Sequence, residues 1–332
     1  VRRFLKVAAA TIGVLAASAI VAALWSPWPS VLVVRAIFDS GAAATSEKLK
    51  RHAPPGVSVQ RDLVYDRSDP DARFDIIRPP PDVTPAATVV WIHGGGFISG
   101  RRSDIENYLK VLAGRGFTVV NLDYSIAPEA RYPTPVRQVN AALGFVSREG
   151  GRLGLNPDRL ILAGDSAGAQ IAAQVALLHA DPDYAARTGI IPAIRRKQIV
   201  GAVLFCGPYD LDLMGDGWFT RTTTWAYSGR RDHRGDADFQ LMSVVKHVTA
   251  NFPPSFISAG NGDPLLPHSL ALVEALRGQG VTVDTLFLPD HDPPLGHEYQ
   301  FDLDTDAGRL ALERSVAFAS RVAAVSAPDG LS

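Results

Sequence analysis

The stretch GDSAG at 164–168 offers the clearest chemistry in the chain. It follows the apolar run LILA and opens the Ala-rich segment AGAQIAAQVALLHA, so Ser166 falls on a sharp turn between a strand and a helix. A serine held there is exposed as a nucleophile, at the cost of a strained backbone. Gly164 and Gly168, two positions to either side, supply the small residues that let strand and helix pass close together. The helix that begins at Ala167 aims its free N–H groups at the same point, where negative charge can be held. A second glycine motif, HGGGF at 93–97, follows the apolar run TVVWI. There His93 opens a loop in which Gly94, Gly95 and Gly96 let bare backbone approach a carbonyl oxygen. Together the two motifs describe acyl transfer: a serine nucleophile and backbone donors for an oxyanion, from Gly95, Gly96 and Ala167.

Three further pieces complete a pattern: DYSIAPEARYP at 123–133, GDPLL at 262–266 and GHEYQF at 296–301. With HGGGF and GDSAG they make the chain resemble the hormone-sensitive-lipase branch of the α/β-hydrolases over about residues 57–325. The layout with an apolar N-terminus is similar to that of arylacetamide-deacetylase-type members. The resemblance implies an α/β fold with a mostly parallel central sheet, helices on both faces and a cap or insertion. It also implies an acid at Asp263, just beyond the strand SFISAG, and a base at His297. Asp210 and Asp212, after the preceding strand, are the alternative acids. Of the eight histidines, His291 and His297 follow the final strand VTVDTLFL, so His291 is the alternative base. His93 matches a structural position of the family. The tail departs from the family where Glu298 and Tyr299 replace a small-then-aromatic pair, and where DHDPPL lengthens the loop.

The reaction expected is cleavage of a small-molecule or lipid carboxylic ester of short-to-medium acyl chain, through an acyl-enzyme on Ser166. In it His297 shuttles the proton and Asp263 orients the imidazole. The alternatives are an amidase or peptidase with the same triad, and a non-catalytic binding protein on the same scaffold. No cofactor or metal is expected: there is no HExxH, no cysteine cluster and no dinucleotide or phosphate-loop fingerprint. Thirty-three basic against 34 acidic residues leave a formal net charge of -1, with no basic excess for nucleic acid. Cys206, the single cysteine, lies in the apolar run IVGAVLFC and reads as a buried thiol. Nothing in the sequence fixes an oligomeric state.

These groups need a scaffold, and strand and helix patterns alternate from Val57 onward. VSVQRDLVY and RFDIIRP alternate as antiparallel edge strands do. ATVVWIH, FTVVNLDY, DRLILAG, IVGAVLFC, SFISAG and VTVDTLFL read as further strands. Helices are expected over DIENYLKVLAGRG, PTPVRQVNAALGFVSREG and the closing DAGRLALERSVAFASRVAAV. The catalytic domain is therefore placed at 57–325. Within it, 207–250 is too long for a plain connection and carries Trp218, Phe219, Trp225 and Tyr227, which suits a lid or substrate pocket. Residues 29–56 read as a stalk or as cap helices. Residues 1–28 read as a signal anchor or signal peptide, because 7–25 carries no charge and follows Arg2, Arg3 and Lys6. That order predicts a single pass with the catalytic domain on the extracytoplasmic side, or secretion after cleavage. Trp25 and Trp28 fall where interfacial aromatics belong.

Overall fold

In chain order the sheet strands are β1 (Ser58–Val64), β2 (Arg73–Arg78), β3 (Thr88–Ile92), β4 (Thr118–Leu122), β5 (Leu160–Asp165), β6 (Ile199–Phe205), β7 (Ser255–Ser258) and β8 (Val283–Leu286). They form one eight-stranded sheet in the order β1-β2-β4-β3-β5-β6-β7-β8. β1 and β2 run antiparallel, β2 pairs antiparallel with β4, and every pairing from β4 to β8 is parallel. This computed structural model describes residues 3–7, 11, 13 and 24–325. Most of the predicted span 7–25 lies outside the described residues. Among the described residues no helix is long and apolar enough to cross a membrane.

Alternation along each strand builds two cores. Val90, Ile92, Val120, Leu122, Leu162, Leu204 and Ile257 face one layer. Val89, Trp91, Val119, Ile161, Ala163, Phe205 and Phe256 face the other. The helices over these faces are α1 (Trp28–Lys50), α2 (Arg102–Gly114), α3 (Thr134–Glu149), α4 (Ser166–Ala180), α5 (Pro182–Thr188), α6 (Trp218–Ser228), α7 (Leu266–Gly278) and α8 (Asp306–Ala324). The buried residues of α3 and α4 belong to the first layer, and those of α2 and α8 to the second. Every residue of α4 is buried, which its run of alanines permits: small side chains let this helix lie close to the sheet.

The sequence reading did not assign α5 or α7. Residues 29–56, expected as a stalk or as cap helices, hold one continuous helix, α1, laid on the body. Val31 and Val34 enter the first core and Leu49 the second. Arg35 fastens α1 through Nε to the Ile98 carbonyl at 2.6 Å and through an ion pair with Glu129 at 2.6 Å. The insertion 207–250 contains α6, which packs against α1: the Phe38 and Phe219 rings lie 5.6 Å apart, and Trp218 Nε1 donates to Ser30 Oγ at 3.2 Å. α1 and α6 thus pack together as a cap, with Phe219 of α6 beside Gly96, just beyond the C-terminal end of β3.

Candidate active site

Ser166 sits at the end of β5 as the first residue of α4, with φ at +50°. A left-handed backbone at a non-glycine residue costs about 1–3 kcal/mol and persists only where the surroundings enforce it. The enforcement is visible at the glycines. A Cβ on Gly164 would stand 2.6 Å from the Ile92 carbonyl oxygen, and one on Gly168 would collide with the Ile92 and His93 carbonyls. Strand and helix therefore meet backbone to backbone behind the serine.

Two loops bring the other groups to Ser166. His297 Nε2 lies 3.0 Å from Ser166 Oγ, and His297 Nδ1 lies 2.9 Å from Asp263 Oδ2. Asp263 is buried, and its second oxygen accepts the Leu265 N–H at 2.7 Å. The loops after β7 and β8 are laced together: Gly262 N–H donates to the Leu295 carbonyl at 2.8 Å, and Asn261 Oδ1 accepts the Leu295 N–H at 2.7 Å. The lengthened DHDPPL loop thus supports the histidine instead of displacing it.

The alternatives named from sequence lie elsewhere. His291 bonds through Nδ1 to the Pro293 carbonyl at 2.8 Å, inside its own loop. Asp210 accepts the Asp212 N–H at 3.0 Å, and Lys246 pairs with Asp212 at 2.7 Å.

The HGGGF loop runs directly from β3 and is braced from three sides. Gly95 and Gly96 take positive φ, +110° and +61°, and the Ser99 N–H closes a turn on the Gly95 carbonyl at 3.0 Å. Asp165 accepts the Gly94 N–H at 2.8 Å and the Trp91 indole N–H at 2.9 Å. Burial, reinforced by the charge of Glu298, holds the Asp165 carboxyl well above the usual carboxylate range. The DYSIAPEARYP segment supplies the third brace. The Tyr124 hydroxyl donates to the His93 carbonyl at 2.8 Å, the Ala127 N–H donates to the Phe97 carbonyl at 2.8 Å, and Asp123 accepts the Arg102 N–H at 2.8 Å. The His93 ring stacks on Tyr124 at 4.3 Å, and burial pushes its pKa down. It is therefore a neutral structural ring, oriented by the bond from Nδ1 to the Gly94 carbonyl at 2.8 Å.

The imidazole of His297 has neighbours that sequence did not assign to the site. Enclosure by the protein disfavours its charge, but the hydrogen bond to Asp263 and the charge of Glu298 favour it, and its pKa is raised well above the ordinary histidine value. Burial pushes the Cys206 thiol up to about 11, so the sulfur is a neutral neighbour near pH 7. Among the described residues, Cys206, Asp263 and His297 form a set whose ligand atoms lie within 4.8 Å of one another. A metal held by all three would take up the groups that join His297 to Asp263.

Of the insertion aromatics, Phe219 comes to the HGGGF loop: a Cβ on Gly96 would lie 3.2 Å from its ring and 3.3 Å from Thr223 Cγ2. Thr223 stands one helical turn on and was missed from sequence, where a threonine among aromatics gives no signal. Trp218 instead turns to Ser30, and the Arg231 guanidinium lies 4.3 Å from the Trp225 ring centroid. Tyr227, expected at the pocket, is a core residue, buried and stacked on Phe97 at 4.2 Å.

Comparison with known proteins agrees with this fold. A family model described as alpha/beta hydrolase fold matches residues 89–292. The acetyl esterase of Salmonella agona is 31% identical over 210 residues, which are 59% of this chain and 61% of that protein. The chain thus spans less than two thirds of the curated relatives it matches. Among solved structures, esterase B of Lactobacillus rhamnosis superposes with a TM-score of 0.71 at 23% identity, covering 88% of this chain and 96% of the other. The esterase of Pyrobaculum calidifontis gives a TM-score of 0.71 at 22% identity, over 89% and 92%.

Proposed function

We propose that this chain, which belongs to the alpha/beta hydrolase fold family, is a serine hydrolase that cleaves short-to-medium-chain carboxylic esters at Ser166. The observation that carries the reading is the unbroken line Ser166 Oγ–His297–Asp263, with links of 3.0 and 2.9 Å. Neutral His297 takes the serine proton as Oγ attacks the ester carbonyl. The N–H groups of Gly95, Gly96 and Ala167 hold the oxyanion that forms. His297 then returns the proton to the leaving alkoxide, and water releases the acid from the acyl-enzyme by the same steps. Phe219 and Thr223 over Gly96 favour the shorter acyl chains, and the name of the acetyl esterase relatives points the same way.

Labelling with a fluorophosphonate, followed by a p-nitrophenyl ester series from acetate to decanoate and the matching anilides, tests this. The expected outcome is label on Ser166, turnover that peaks at short esters and slow anilide cleavage. Absence of both labelling and ester turnover would refute the reading, and faster anilide than ester cleavage would assign the triad to amides.

We also propose that residues 7–25 tether the chain to a membrane, with the catalytic domain on the extracytoplasmic side. The uncharged run behind Arg2, Arg3 and Lys6 supports this. Resistance to carbonate extraction, with cleavage by protease added from the outer side, is the expected result. Recovery of a shortened chain from the medium would show a cleaved signal instead.

A further inference from the structure

We infer that the outer face of the α1–α6 cap docks on a lipid bilayer surface and admits bilayer-dissolved esters to Ser166. This rests on the tether reading above and extends the ester reading to a source of substrate. α1 is apolar on two sides. Val31 and Val34 are buried against the body, so they account for its attachment. Trp28, Leu32, Val33 and Ile37 nevertheless point outward, with exposures of 40%, 57%, 52% and 60%, and Trp25, just before the helix, is 84% exposed. Spacings of four, one and four residues put the four helical residues on one face of α1. Folding does not need this second stripe, and a contiguous apolar face on a protein in water marks a surface that meets something.

The stripe continues onto α6. The Trp218–Ser30 bond and the Phe38–Phe219 contact join the two helices, and Trp218 and Phe219 are themselves 53% and 41% exposed. The Arg231 side chain, beyond α6, donates to the Leu24 carbonyl and so ties the insertion to the start of the stripe.

Two observations select a bilayer as the occupant. The uncharged run 7–25 leads directly into the stripe, so a tethered chain holds this face beside the membrane it is anchored in. The face is also rich in tryptophan, the side chain that settles at the headgroup level. Its inner edge is the substrate edge: Phe219, exposed on the cap, also lies against Gly96 of the oxyanion loop. An apolar ester leaving the acyl region would therefore pass along the cap without crossing water.

The test uses the full chain in phosphatidylcholine–phosphatidylglycerol vesicles. Cys206 is buried, so an Ile37→Cys variant takes an environment-sensitive fluorophore at one exposed thiol. Lipids with brominated acyl chains should quench that label, and should leave the same label at Ile191→Cys, an exposed position outside the cap, unquenched. The Leu32→Glu/Ile37→Glu variant should hydrolyse water-soluble p-nitrophenyl acetate within twofold of the parent. On a long-chain ester dissolved in the vesicles it should be at least tenfold slower. A chain that fails to float with the vesicles overturns the tether and this inference together. A floating chain with an unquenched label at position 37, or with equal rates on the vesicle-borne ester, overturns this inference alone. Acetate turnover by the parent reports separately on the ester reading.

Discussion

Glu298 Oε1 lies 3.6 Å from His297 Nε2, at the ring edge that faces Ser166. The proposed base therefore stands between two carboxylates, Asp263 at Nδ1 and Glu298 near Nε2. The second has no counterpart in the triad template, which needs one orienting acid. It favours the imidazolium, together with Asp263, and the pKa of His297 is raised accordingly. The sign of the consequence is fixed. A protonated His297 cannot accept the Ser166 proton, so activity is lost as pH falls through the raised pKa. The acid limb of kcat/KM should then lie above the ordinary histidine value of about 6.5. Glu298→Gln removes one charge and keeps the shape, so the limb should move to lower pH. A pH–rate profile that is unchanged in this variant would exclude Glu298 from the electrostatics of the base.

Ser166→Ala and His297→Ala should each lower ester kcat by roughly 10³-fold or more, and the double variant should be little worse than either, because the pair acts as a unit. His291→Ala should keep kcat within about twofold, since that ring bonds only within its own loop, to Pro293. Its effect should appear as a small loss of stability of the order of 1 kcal/mol, from one hydrogen bond. Steady-state kinetics and urea unfolding of the three single variants separate these outcomes. A collapse of turnover in His291→Ala with normal turnover in His297→Ala would reverse the assignment of the base.

Much of this arrangement was legible in the chain because backbone demands leave strong marks. Gly164 and Gly168 announce the turn at Ser166, since only glycine allows backbone contact with Ile92 and His93. The order of the strand patterns led to a mostly parallel sheet because doubly covered strands are continuously apolar. What stayed hidden depends on distant pairings. Asp165 received no role from the sequence, yet it spans from β5 to Trp91 and Gly94, a contact that only the β3–β5 pairing creates. Cys206 looked like a core thiol, and it is one. Its place beside His297 comes from a loop more than eighty residues downstream. Tyr227 misled for the opposite reason: its neighbours in sequence are insertion aromatics, but α6 turns it inward onto Phe97.

The Phe219 ring lies beside Gly96, so the proposed acyl site can be tested at one side chain. Phe219→Ala should raise kcat/KM for hexanoate relative to acetate by about tenfold, the scale of one or two buried methylenes. Trp225→Ala, whose ring lies against Arg231, should leave the ratio unchanged. Equal profiles in both variants would mean that the acyl chain does not lie under α6.

Gly168→Ala tests how far the nucleophile and the oxyanion loop share one backbone contact. The added methyl would collide with the Ile92 and His93 carbonyls, which are main-chain atoms with no rotamer to yield. α4 must then move away from β3, and the Ala167 N–H moves with it, away from Gly95 and Gly96. Overpacking of this kind costs about 1–3 kcal/mol. Displacing one oxyanion donor costs about 10²–10³ in kcat. Gly151→Ala is the control, because a Cβ there meets nothing within 4 Å. Its stability should change by less than about 0.5 kcal/mol, as at an ordinary surface site. Urea midpoints together with acetate-ester kcat measure both effects. Full activity in a destabilised Gly168→Ala would place the Ala167 N–H outside the oxyanion hole, whereas loss of activity with a normal midpoint would show that α4 shifts without strain.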